Sequence, residues 1–138
     1  MATSKFPGRF DSLEKICDFV QQAAKTAALN DNEVYAVQLA VDEACTNIIE
    51  HAYGGEERGD IECTCVAIKD GLKIILHDHA PAFNPEQVPE PVLNVPLDDI
   101  KPRGLGLFFM RKLMDEVHFN FTKGKGNYLT MVKHKKRA

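Results

Sequence analysis

The sequence predicts an α+β two-layer sandwich, a largely antiparallel mixed sheet with helices packed on one face. Three observations carry that expectation. Two long segments of helical period come first, a period-two segment with a hairpin signal follows, and after a proline-rich stretch the pattern runs helix, strand, strand. Strands and helices do not alternate along the chain, which argues against a parallel sheet of the Rossmann or P-loop kind. No GxxxxGK[ST] motif is present either.

The chain has 138 residues, 44% of them hydrophobic, which suits a single domain spanning 1–138. A short strand around Phe6 to Phe10 is expected at the sheet edge. The first helix, "DSLEKICDFVQQAAKTAAL", opens with Asp11 and has Glu14 three residues on, the spacing of a capping box. Leu13, Ile16, Cys17, Val20, Ala23, Ala24 and Ala27 then recur at helical spacing. The second, "NDNEVYAVQLAVDEACTNIIEHAYGG", repeats the design with Asn30 and Glu33, an apolar stripe through Val34, Val37, Val41, Ala44, Cys45, Ile48 and Ala52, and a Gly54-Gly55 stop.

In "GDIECTCVAIKDGLKIILHDHA" the period becomes two, and Asp70-Gly71 separates two β-rich runs as a hairpin turn would. With a two-residue turn there, Cys65 pairs with Leu76 and Cys63 with Asp78. Asp78 then shares a small, apolar face with Ile61, Cys63, Cys65, Ala67, Ile74 and Leu76, where a carboxylate needs a partner. From Pro81 to Pro102 the chain carries six of its seven prolines and no sustained period. Such a long connection inside a domain is a functional lid or a disordered segment. The helix "GLGLFFMRKLMDEV" follows, then the strands "VHFNFT" and "NYLTMVKHK" joined by "KGKG".

The net charge of −3 comes from 17 basic and 20 acidic residues in mixed order, so no nucleic-acid partner is expected. The basic end "VKHKKRA" reads as a solvated tail. No signal peptide and no apolar run of membrane-spanning length are found, which points to a soluble cytoplasmic protein without a membrane partner. Cys17, Cys45, Cys63 and Cys65 lack zinc or disulfide spacing and read as free thiols. Cys63 and Cys65 share a strand face and read as small core residues, or as two ligands of a metal.

Three sets of residues carry chemistry. Glu43 and Asn47 lie one turn apart on the second helix, extended by Ala36 and Ala40. They form either a solvent-facing polar stripe, or a general base beside an amide oxygen suited to Mg2+, which takes few protein ligands. Gly104 and Gly106 stand at a helix start, where free N–H groups bind anions, with Arg103 adjacent; a plain helix entry explains them equally. Asp78 at a strand end either accepts a hydrogen bond from an adenine amine or is a turn aspartate.

Taken in order, these motifs resemble the GHKL, or Bergerat-fold, ATPase superfamily, and within it the anti-sigma-factor serine/threonine kinases. "VDEACTNIIEHAYGG" is similar to the N-box, "HDHAPAFNP" to the first glycine box, "RGLGLFFMRKLMDEV" to the second, and "GNYLTMVK" to the closing strand, over about Phe6 to Lys135. The resemblance implies the Bergerat ATP-binding fold, with ATP and Mg2+ as cofactors and an ATP lid at about 81–103. It implies Glu43 as general base and Asn47 as the metal ligand. Asp78, Ala80, Arg103, Gly104, Leu105, Gly106 and Thr130 would join Asn47 in binding the nucleotide.

The implied function is a protein kinase and anti-sigma factor that phosphorylates a serine-bearing anti-anti-sigma protein, sequesters a sigma factor, and forms a homodimer. Ala80 replaces a common glycine, so its Cβ is expected to disfavour a positive φ and crowd the base. Pro102 replaces another and is expected to stiffen the lid hinge; Asn84 stands where an aspartate is frequent. His51 and Tyr53 touch the nucleotide or the lid, or pack a helix end. These departures leave one alternative, a non-catalytic nucleotide-binding module that sequesters a protein partner. A sensor histidine kinase domain is disfavoured because just one helix precedes the N-box.

Overall fold

The computed structural model describes residues 1–82 and 102–136. The elements run β1 (Ala2–Pro7), α1 (Ser12–Thr26), α2 (Asp31–Asn47), a π-helical turn (Ile48–Ala52), β2 (Asp60–Ile68), β3 (Gly71–Asp78), α3 (Pro102–Leu113), β4 (Glu116–Thr122) and β5 (Gly126–His134). The sheet order is β1-β2-β3-β5-β4, and every pairing is antiparallel, so the expected mixed character is absent among the described strands.

Alternation along the strands assigns one face to the core. Ile61, Cys63 and Cys65 of β2, Leu72, Ile74 and Leu76 of β3, and Leu129 and Met131 of β5 are buried on it. The helices cover that face through Ile16 and Val20 of α1, Val37 and Val41 of α2, and Met110 of α3. α2 touches both α1 and α3, which is why it is apolar over a wide arc. Ala40, read from sequence as part of a polar side, is fully buried for this reason. Cys63 and Cys65 are free, buried thiols in that core.

Several local expectations shift. The edge strand β1 ends at Pro7 rather than starting at Phe6. The hairpin turn is Lys69-Asp70, with Ile68 opposite Gly71, Cys63 opposite Leu76 and Cys65 opposite Ile74. Asp70 takes the left-handed φ of +59° that the turn needs, a conformation aspartate tolerates. The register is thus displaced by two residues, and a displacement of two keeps every side chain on its face. Asp78 therefore stays on the buried side, 4% exposed.

The capping box forms at α2, where Asn30 and Glu33 exchange two hydrogen bonds of 2.8 Å. At α1 it does not form; Asp11 makes no cap bond and pairs instead with Arg9 Nε at 3.2 Å. α3 begins at Pro102, two residues before Gly104. Pro102 thus opens a helix, the position where its fixed φ fits and its missing N–H is not needed; the hinge expected before it lies outside the described residues. Nor does the chain end float free through Lys136: the Lys135 N–H bonds the Asp70 carbonyl at 2.7 Å and the Lys136 N–H bonds Glu33 Oε2 at 2.6 Å. No helix among the described residues is long and apolar enough to cross a membrane.

Candidate functional site

Asp78 ends β3 and is pinned by its own neighbourhood. Its Oδ1 accepts the Ala80 N–H at 2.9 Å, an Asx-type turn that bends the chain out of the sheet. The same oxygen accepts from Asn127 Nδ2 at 3.0 Å, and that amide also reaches the Ala80 and Pro81 carbonyls at 3.1 and 3.0 Å. Asn127 faces Asp78 because the β3–β5 register sets them directly opposite. This approach requires glycine next door: Gly126 has φ +109°, and a Cβ there would stand 2.0 Å from the Asp78 carbonyl oxygen.

A cleft opens in front of this corner. One wall is the end of α2 with its π turn, which contributes Ala44, Asn47, Ile48, His51 and Ala52. α3 adds Leu107 and Met110, and the sheet adds Asp78, Phe119, Asn120, Asn127, Tyr128 and Leu129. The π turn supplies Ile48, His51 and Ala52 to that wall. An apolar cleft with a few convergent polar groups and a buried carboxylate is what a small-molecule site requires.

Glu43 stands one turn before Asn47 and one position before Ala44, but is not itself among the lining residues. It is half-buried, and that burial, with the charges of Asp42 and Glu50, pushes its carboxyl above the ordinary carboxylate range. Burial likewise pushes the Tyr53 phenol up, so its hydroxyl is protonated at neutral pH.

Of the residues implied by the resemblance, the fold brings Asn47 and Asp78 into one cleft, with Glu43 beside it. Ala80 is buried and absent from the lining; it has no positive φ, so the strain expected of it does not arise. Arg103, Gly104, Leu105 and Gly106 belong to the first part of α3, whose next turn supplies Leu107 and Met110 to the cleft. Most of the lid expected at about 81–103, residues 83–101 with Asn84 among them, lies outside the described residues.

Thr130 is corrected. It pairs with Ile75 and His118 on the face opposite Asp78, because it lies an odd number of residues from Asn127. Asn127, opposite Asp78, lines the cleft where Thr130 does not. Sequence reasoning missed Asn127, although it directly follows the turn glycine at the point where β5 meets the end of β3.

A family model described as histidine kinase-like ATPase domain matches residues 6–133. Serine-protein kinase RsbW of Bacillus pumilus is 33% identical over 112 residues, 77% of this chain and 69% of that protein. The RsbW proteins of Bacillus velezensis and Bacillus subtilis are each 31% identical, over 67% and 71% of this chain. Those two matches span 61% and 66% of the relatives' own lengths, less than two thirds. Among solved structures, a nucleotide-free catalytic domain of histidine kinase ThkA superposes with a TM-score of 0.57 at 15% identity, covering 99% of this chain and 100% of that one.

Proposed function

The chain belongs to the histidine kinase-like ATPase domain family, and from that membership we propose that it is an ATP-dependent protein serine/threonine kinase and anti-sigma factor. In this reading it phosphorylates a serine on an anti-anti-sigma protein, sequesters a sigma factor, and works as a cytoplasmic homodimer. The observation that carries the reading is that the buried Asp78 and Asn47 line one apolar cleft, with the half-buried Glu43 one turn before Asn47 on the same helix. The similarity to proteins named serine-protein kinase supports serine as the acceptor.

The residues present fit the nucleotide and its metal. Asp78 offers a buried acceptor, its Oδ1 bonded by Ala80 and Asn127, which suits the exocyclic amine of adenine. The Asn47 amide oxygen suits Mg2+, which takes one or two protein oxygens and fills its shell with water and phosphate. When bound, the metal neutralises phosphate charge as the transfer proceeds. The first turn of α3 offers backbone N–H groups to the phosphates.

Glu43 takes the proton of the acceptor serine as its Oγ bonds to the γ-phosphorus. The bond from that phosphorus to the β–γ bridging oxygen breaks, and ADP leaves. A carboxyl pushed toward neutrality is better matched to that proton transfer than an ordinary glutamate. Because Glu43 stands outside the cleft lining, a second reading stays in view, a module that binds nucleotide and sequesters its partner without transferring phosphate.

Calorimetric titration with a non-hydrolysable ATP analogue tests the site. Micromolar binding that needs Mg2+ and is lost in Asp78→Asn is the expected result. A folded wild-type protein that binds no nucleotide sinks the proposal. Phosphate incorporation into a serine-bearing partner then separates the kinase from the non-catalytic module.

A further inference from the structure

Asn127 holds the Asp78 corner from β5, and a second tie comes from the opposite wall of the cleft. Tyr53 follows the π turn and donates its N–H to the Ile48 carbonyl at 2.8 Å, five residues back. Its hydroxyl is used twice: it donates to the Asp60 carbonyl at 2.7 Å and accepts the His79 N–H at 2.9 Å. His79 is the residue next to Asp78. The ring itself is locked in place, since a Cβ at Gly59 would stand 2.3 Å from ring atoms, and the Gly8 N–H bonds the Gly59 carbonyl at 2.8 Å.

Tyr53 thus joins three segments at one point: the continuation of α2, the start of β2 and the end of β3. Asn47 and His51, on that same continuous helix, form one wall of the cleft, and Asp78 belongs to the other. We propose that Tyr53 is a positioning residue that sets the Asp78 carboxylate against the helix wall and thereby sets selectivity for a purine carrying an exocyclic amine. The proposal rests on the reading of the cleft as an ATP site. Phenylalanine would keep the ring packing but leave the His79 N–H and the Asp60 carbonyl without this partner, and the β3 end would then be free to shift.

The test compares two nucleotides with Mg2+ by calorimetry: ATP, and purine riboside triphosphate, which lacks the exocyclic amine. Wild type is expected to prefer ATP by roughly tenfold or more, the discrimination of one hydrogen bond to a charged group. Tyr53→Phe is expected to cut that preference below about threefold while leaving purine riboside triphosphate affinity unchanged. Equal weakening of both nucleotides, or an unchanged preference, overturns the proposal, because a purely structural residue does not distinguish the ligands.

Should Tyr53→Phe not fold, 4-aminophenylalanine at position 53 serves the same comparison. It still donates to Asp60 but accepts poorly from His79, so a retained preference overturns the proposal. A wild type that binds both nucleotides equally instead overturns the role of Asp78 on which the proposal rests.

Discussion

At the scale of single residues, Glu43 and Asp78 show how one fold gives two carboxylates different surroundings. Asp78 is buried yet supplied with donors from Ala80 and Asn127. Glu43 is half-buried beside Asp42 and Glu50, so its proton is held more tightly in the folded chain than in the unfolded one. Ionising it therefore costs stability as pH rises through its folded pKa. Glu43→Gln should remove that cost: thermal melting at neutral pH should give an equal or higher midpoint, while phosphate transfer falls by roughly 10²–10⁴-fold with nucleotide affinity kept. The acid limb of the wild-type pH–rate profile should lie above the ordinary value of 4.5. A limb at or below it would remove Glu43 as the base. The types and spacing of Glu43, Asn47 and Asp78 were legible in the sequence. Asn127 was not, because its role depends on which residue of β5 stands opposite Asp78.

At the scale of elements, the β2–β3 hairpin and the two helix starts show where local signals held and where they yielded. Asp70-Gly71 marked the hairpin correctly, but the turn closed one residue earlier, which moved the register by two and left the faces intact. The same box signature formed at Asn30, whose backbone is extended as a cap requires, and failed at Asp11, whose backbone is already helical. Glu33 carries more than its cap. Burial would raise its carboxyl, but hydrogen bonds from the Asn30 and Lys136 backbones, with the charges of Lys133 and Lys136, hold it below the usual range. Its stabilisation is complete above the unfolded value and drains as pH falls below about 4.5. Glu33→Ala should lower stability by about 1–2 kcal/mol at neutral pH. In urea unfolding, that difference should shrink in acid; a difference that persists below the folded pKa would refute the charge-based part of the account.

At the scale of the whole molecule, the cleft exists because the helix layer and the sheet part company at one end. α2 packs between α1 and α3, the π turn continues it with Ile48 and Ile49 still in the core, and the end of β3 meets the start of β5 at Asp78 and Asn127. A ligand there touches elements distant in sequence, so binding should stabilise the chain as a unit. Nucleotide at about 100 times its dissociation constant should add about 2.7 kcal/mol to the unfolding free energy. Denaturant titrations with and without nucleotide measure this, and Asp78→Asn should abolish the increment. An unchanged midpoint in the wild type at that concentration would mean that the cleft is not the binding site.

By itself, the sequence determined the α+β class, the helix and strand order, the buried face of the central hairpin and the chemistry available to the site. Those properties follow from periodicity and residue type, which act over a few neighbouring positions. Tertiary structure alone decided that Thr130 faces away and Asn127 faces Asp78, that Ala80 carries no strain, that Lys136 bonds Glu33, and that Tyr53 ties the π turn to the start of β2 and the end of β3. Each of these depends on pairing between segments far apart in the chain, where a shift of one residue reverses a face and local preference carries no information about the partner.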